Sequence, residues 1–203
     1  MIKLRLILRL LLSIGVAQLA ITTVHAGPFK RVENSEKVPA FTLQNHSGDV
    51  FTHSDLLDKW TLVLVGFTSC PDVCPYTLGN LEHVLAETAS KVRPDNLPEV
   101  VFLAVDPDRD YLSLAAYVNH FHPDFTGVTG EKKHVDAFIE GLDAFYELEE
   151  RDTYGNYNVR HSADIRVIDP EGRLHATIQT PMDAPKTSDF LQRLQIEYRR
   201  SHQ

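Results

Sequence analysis

Two runs of apolar residues, 61–67 and 100–105, have no polar interruption after their first position. Neither alternates with period two. Each therefore predicts a strand buried on both faces, as in a parallel sheet. The shorter segments 40–43 and 49–52 flank the turn Asn45-His46-Ser47-Gly48 and predict a strand pair. Residues 54–57 read as a short helical turn. Leu78, Leu81, Val84 and Leu85 recur at helical spacing. Pro75 is the expected first residue of that helix, because proline suits the first helical position and pushes its predecessor out of the helical region. Further helices are predicted over 112–121, 135–145 and 188–199. A hairpin is predicted from 165–169 and 174–178 around Pro170-Glu171-Gly172-Arg173. The polar segments 27–38 and 151–158 read as irregular.

The order is a strand pair, then β-α-β-α, then a hairpin and a helix. That order predicts an α/β fold, a thioredoxin-like three-layer sandwich with an N-terminal strand pair and a hairpin-bearing insertion. The 203 residues suit one such domain with a leader. Lys3, Arg5 and Arg9 give residues 1–26 a basic start. An apolar stretch over 10–24 follows, and Val24-His25-Ala26 offers the small residues of a cleavage site. The stretch is shorter than the ~20 residues of a spanning helix, so a cleaved signal peptide and a retained membrane anchor both stand as readings. Either one puts residues 27–203 outside the cytoplasm, in the periplasm or on the periplasmic face of the inner membrane. The whole chain carries a net charge of −8, and loss of the leader's three basic residues makes it −11. That balance excludes a nucleic-acid partner.

The chain has two cysteines, and both lie in Cys70-Pro71-Asp72-Val73-Cys74-Pro75, directly after the first apolar run. Two thiols at a strand-to-helix junction can exchange electrons as a dithiol/disulfide pair, or hold a soft metal as two thiolates. A domain of this size has core enough to fold without a disulfide staple. In an oxidising compartment the pair closes to a disulfide unless a reductant or a metal intervenes. The free N–H groups of the following helix are expected to make both thiols easier to ionise.

A metal would need a third ligand. His161 stands just before the predicted strand at 165–169. In thioredoxin-like folds that position carries a proline lying against the cysteine motif, and no proline stands there in this chain. Two thiolates and an imidazole suit copper, or zinc with a fourth ligand. Other candidates have simpler roles. His83 falls on a solvated helix face, and His120 and His122 complement a helix C-terminus. Asp106, Asp108 and Asp110 read as turn and capping residues, since Asp106 ends a strand and Arg109 offers a local partner. Met182 reads as a core or loop residue.

The stretch from Gly66 to Leu78, with its Cys70-Pro71-Asp72-Val73-Cys74-Pro75 core, resembles the signature of the Sco/SenC copper proteins. Val105-Asp106-Pro107-Asp108-Arg109-Asp110, Val128-Thr129-Gly130, and His161-Ser162 followed by Ile168-Asp169-Pro170-Glu171-Gly172 are similar to the family's further motifs. The resemblance runs from about Val38 through the last helix. It implies a copper-binding chaperone that delivers Cu(I) or Cu(II) to the CuA site of cytochrome c oxidase, with Cys70, Cys74 and His161 as ligands. Its implied partners are the copper-bearing oxidase subunit or another copper chaperone. A thiol–disulfide oxidoreductase acting on a partner's cysteines through Cys70 and Cys74 is the alternative use of the same sulfurs. One departure stands beside the histidine: many members carry an acidic residue there, and this chain has Arg160.

Overall fold

The computed structural model describes residues 27–34 and 36–202, and the leader expected over 1–26 lies outside the described residues. In chain order the elements are β1 (Phe29–Arg31), β2 (Thr42–Asn45), β3 (Val50–Thr52), β4 (Thr61–Gly66), α1 (Val73–Ala89) and β5 (Glu99–Ala104). Then come α2 (Pro107–Asp110), α3 (Leu114–Phe121), β6 (Thr126–Thr129), α4 (Lys132–Gly141), β7 (Tyr146–Leu148), β8 (Val159–His161), β9 (Ile165–Ile168), β10 (Leu174–Ile178) and α5 (Ala184–Ser201).

The two apolar runs form the middle of an eight-stranded sheet with the order β1-β10-β9-β4-β5-β6-β2-β3. β5 pairs in parallel with both β4 and β6, and the outer pairings are antiparallel. Helices cover both faces of the central strands, which is why those strands have no polar alternation. Leu62 and Leu64 point into a layer built from Leu78, Leu81 and Val84 of α1, Val118 of α3, and Leu191 and Leu194 of α5. Val63 and Val65 point the other way, to Val135, Phe138 and Ile139 of α4. The result is the three-layer α/β sandwich of thioredoxin-like proteins, matching the expected class. Among the described residues no helix is long and apolar enough to cross a membrane.

Several boundaries differ from the sequence expectation, each for a local reason. α1 starts at Val73, two residues before Pro75. A proline in the first turn costs no hydrogen bond, because N–H groups there have no partner within the helix. The helix expected over 112–121 starts two residues late, at Leu114, and the short α2 falls in the loop before it, ahead of a turn that leaves Leu112 exposed. α5 starts at Ala184, where the Asp183 side chain accepts from Lys186 N at 3.0 Å as an N-cap. β1 falls in a segment read as irregular, and Phe29 anchors it by stacking on Phe190 at 4.4 Å. The 151–158 segment is a loop as expected, but it joins β7 and β8 into a separate antiparallel ribbon. That ribbon pairs Tyr146 with His161, Glu147 with Arg160 and Leu148 with Val159.

Candidate metal centre

β4 delivers the chain into the cysteine loop, and α1 receives it. Cys70 N closes a turn onto Phe67 O at 3.1 Å. Cys74 is fully buried under the end of the sheet, while Cys70 is half-buried, and both are free thiols. Gly66 makes room for this arrangement. A Cβ at that position would stand 2.7 Å from Cys74 Sγ and 2.7 Å from Phe102 Cε2, closer than side-chain carbons approach. Cys74 N points at Cys70 Sγ at 3.5 Å, and the two sulfurs lie within 4.8 Å of each other.

The second motif braces the loop from behind. Asp110 Oδ1 accepts from Thr68 N at 2.7 Å and Thr68 Oγ1 at 2.8 Å, and its Oδ2 accepts from Asp106 N at 3.2 Å. The carboxyl is fully buried, and burial raises its pKa even though the bonds from Thr68 pull it down. Asp110 thus does more than the turn role expected of it. Residues 42 positions apart carry no local sequence signal of such a contact.

The ribbon supplies the imidazole. His161 ends β8, and its ring meets Phe67 edge-on at 5.9 Å between centroids. His161 Nδ1 lies 3.0 Å from Ser162 O. A carbonyl only accepts, so this contact puts the ring hydrogen on Nδ1 and leaves the Nε2 lone pair free. Nε2 points at Cys74 Sγ, 3.6 Å away. Cys70 Sγ, Cys74 Sγ and a His161 ring nitrogen all lie within 4.8 Å of one another. Among the described residues this is the one group of three or more metal-capable side chains. It opens to solvent through a cleft of about 420 Å³ whose walls include Phe67, Cys70, Val73, Phe145 and His161.

One expectation fails here. The helix N-terminus does not make Cys74 easier to ionise. Burial pushes its thiol up, and the neighbouring Cys70 adds to the effect. Cys74 sits within the first turn of α1 against apolar side chains, where desolvation disfavours the thiolate. A thiolate at this depth calls for a cation beside it. Two sulfurs and one imidazole nitrogen with a free lone pair form a soft donor set that meets this requirement.

The other candidates stay apart from the centre. His83 and His120 are exposed. His122 Nδ1 accepts from Asp124 N at 3.1 Å. Met182 is buried in the core. Of the three loop acids, Arg109 takes Asp106 as its local partner. Arg160 turns across the ribbon to pair with Glu147, with Glu149 at 3.9 Å, so two acids oppose its charge.

Fold and site together define a thioredoxin-like α/β protein with a two-cysteine, one-histidine centre. Residues 30–195 match the SCO1/SenC family, and the chain belongs to that family. It is 32% identical over 180 residues to the SCO2-like protein of Rickettsia felis, an alignment covering 85% of this chain and 86% of that one. Among solved structures, Arabidopsis thaliana ScoI with copper bound superposes with a TM-score of 0.70 at 27% identity, covering 78% of this chain and 97% of that one. Yeast Sco1 with copper bound gives a TM-score of 0.69 at 28% identity, covering 77% and 86%.

Proposed function

We propose that this chain is an exported copper-binding chaperone. Residues 27–203 form its working domain, and residues 1–26 are the signal peptide or membrane anchor that takes it to the periplasm. The domain holds one copper ion, as Cu(I) or Cu(II), through Cys70 Sγ, Cys74 Sγ and His161 Nε2. The observation that carries this reading is the convergence of those ligand atoms within 4.8 Å. The copper in the plant and yeast Sco structures supports it. The acceptor, the copper-bearing CuA subunit of cytochrome c oxidase or another copper chaperone, follows from the motif resemblance.

Copper is the cargo, and transfer is a ligand exchange. The cleft exposes Cys70 and His161, so an acceptor's thiolate meets these ligands first. Cys74 is released last, and its raised pKa favours uptake of a proton as the metal leaves.

A second reading has one observation in its favour. Cys70 is half-buried on the cleft with its free partner thiol behind it, the layout of an attacking and a resolving cysteine. Anaerobic titration of the reduced full chain with Cu(I), and separately with Cu(II), distinguishes the two. One copper per chain is expected, with Cu(II) affinity falling by orders of magnitude in His161→Ala while dithiol oxidation is spared. Copper held by His161→Ala as tightly as by the parent chain would overturn the three-ligand reading. No copper uptake together with rapid reduction of a protein disulfide would favour the oxidoreductase.

A further inference from the structure

The two halves of the metal centre come from different parts of the fold. The cysteines ride on the β4–α1 loop, and His161 rides on a ribbon that does not belong to the main sheet. Something must hold the ribbon in register with the loop. Two neighbouring residues of α2, Arg109 and Asp110, reach the two halves.

Asp110 takes the loop half, through its bonds to Thr68. Arg109 takes the ribbon half. Its guanidinium lies 3.8 Å from the ring centroid of Tyr157, four residues before His161. Its Nη1 donates to Tyr157 O at 3.0 Å, and its Nε is paired to Asp106. The Tyr157 hydroxyl closes the ring of contacts by donating to Asp106 Oδ1 at 3.1 Å. The Arg109 guanidinium also lies 5.4 Å from the centroid of the Phe67 ring. Phe67 is the ring against which His161 packs. Arg109 therefore supports His161 by two routes, through Tyr157 of the ribbon loop, whose ring it stacks on and whose carbonyl it bonds, and through Phe67.

We propose that Arg109 and Tyr157 form a latch that positions His161 over the two sulfurs, and so governs how strongly the chain holds Cu(II) relative to Cu(I). This rests on the three-ligand copper reading above. Neither latch residue is a ligand. Two thiolates alone satisfy the soft Cu(I), whereas Cu(II) depends on the imidazole as well. Loosening the ribbon should therefore cost Cu(II) binding selectively. Groups that orient a metal ligand are typically worth about 10- to 100-fold in affinity.

The test uses the full chain, reduced and anaerobic, with Cu(I) and Cu(II) affinities measured by competition. Cu(II) spectra are also recorded, by absorption and by electron paramagnetic resonance. Arg109→Met keeps an apolar stem and loses the fork. Tyr157→Leu loses the ring, and Tyr157→Phe loses only the hydroxyl. In Arg109→Met and Tyr157→Leu, Cu(II) affinity is expected to fall about tenfold or more, with Cu(I) affinity held within about threefold. Their Cu(II)–thiolate bands should shift, and the Ser162 amide, bonded to Phe145 O at 3.0 Å, should exchange faster in the copper-free chain. Tyr157→Phe should stay within about threefold of the parent for both ions, because the stacking and the carbonyl contact survive.

Parent-like Cu(II) affinity and spectra in Tyr157→Leu would overturn the latch. Equal losses of Cu(I) and Cu(II) would also overturn it, since they would place the effect on the thiolates. Tyr157 stands in a surface loop, so its variants carry the test even if Arg109→Met does not fold. His161→Ala run alongside separates the two claims. If that variant holds Cu(II) normally, the three-ligand reading itself has failed.

Discussion

Replacing Gly66 by alanine puts one carbon into the tightest point of the site. The new Cβ would lie 2.7 Å from Cys74 Sγ and 2.7 Å from Phe102 Cε2, whereas ordinary contact begins at 3.4 Å. Each neighbour must give by about 0.7 Å, the difference between those two distances. Neither can do so freely, because Cys74 and Phe102 are both fully buried. Overpacking of this kind costs about 1–3 kcal/mol. For a domain of this size that lowers the melting temperature by about 2–4 °C per kcal/mol. The same displacement disturbs the spacing between Cys74 Sγ and His161 Nε2, now 3.6 Å, so copper affinity should fall along with stability. The assay is a double-mutant cycle by chemical denaturation of the copper-free chain, using Gly66→Ala, Cys74→Ala and both together. Removing the sulfur relieves half of the clash, so the cycle should show a coupling of about 1 kcal/mol. Additive costs, or a Gly66→Ala chain with parent stability and copper affinity, would refute the account of why glycine stands there.

Asp110→Ala leaves Thr68 N and Asp106 N without their acceptor and Thr68 Oγ1 with Ser113 Oγ as its remaining partner, and should cost about 3 kcal/mol in urea denaturation. A cost under about 1 kcal/mol would mean that the loop does not depend on this brace. The raised Cys74 thiol gives a pH signature to the copper-free chain. Above the ordinary thiol value of 9.0 the unfolded chain loses a proton that the folded one keeps, so stability is full below pH 9.0 and declines as pH rises past it. The slope should approach about 1.4 kcal/mol per pH unit and shrink in Cys74→Ser, as read by denaturation at a series of pH values. Arg160→Ala removes an exposed cross-ribbon pair, so it should change stability by under about 1 kcal/mol and leave copper affinity nearly unaltered. A large loss of copper affinity in that variant would show that the arginine acts on the metal rather than on Glu147.

Much of the fold was legible because burial on both faces leaves a mark on sequence. β4 and β5 could be read from unbroken apolar runs, and α1 and α5 from their helical stripes. The pair Cys70 and Cys74 was visible from spacing, and His161 from its place ahead of β9. What escaped was structure held by distant contacts. β1 exposes two of its three residues and depends on Phe29 meeting Phe190, far away in sequence. β6 is four residues long and contains Gly127, where a Cβ would strike Leu114 at 2.7 Å. The β7–β8 ribbon is polar and short, and nothing in its own sequence separates it from the loop it encloses. The sense of the Cys74 pKa shift was also out of reach. Position at a helix start argues for a lower value, and only the packing around the sulfur shows that burial prevails.

The most direct test of the central claim is X-ray absorption at the copper edge on the full chain loaded with one equivalent of Cu(II), with metal content measured on the same sample. The expected result is one copper per chain, bound by two sulfurs and an imidazole nitrogen, with the nitrogen scattering lost in His161→Ala. A copper shell with no sulfur, or the same two-sulfur, one-imidazole shell in His161→Ala, would contradict the assignment of Cys70, Cys74 and His161 as the metal centre.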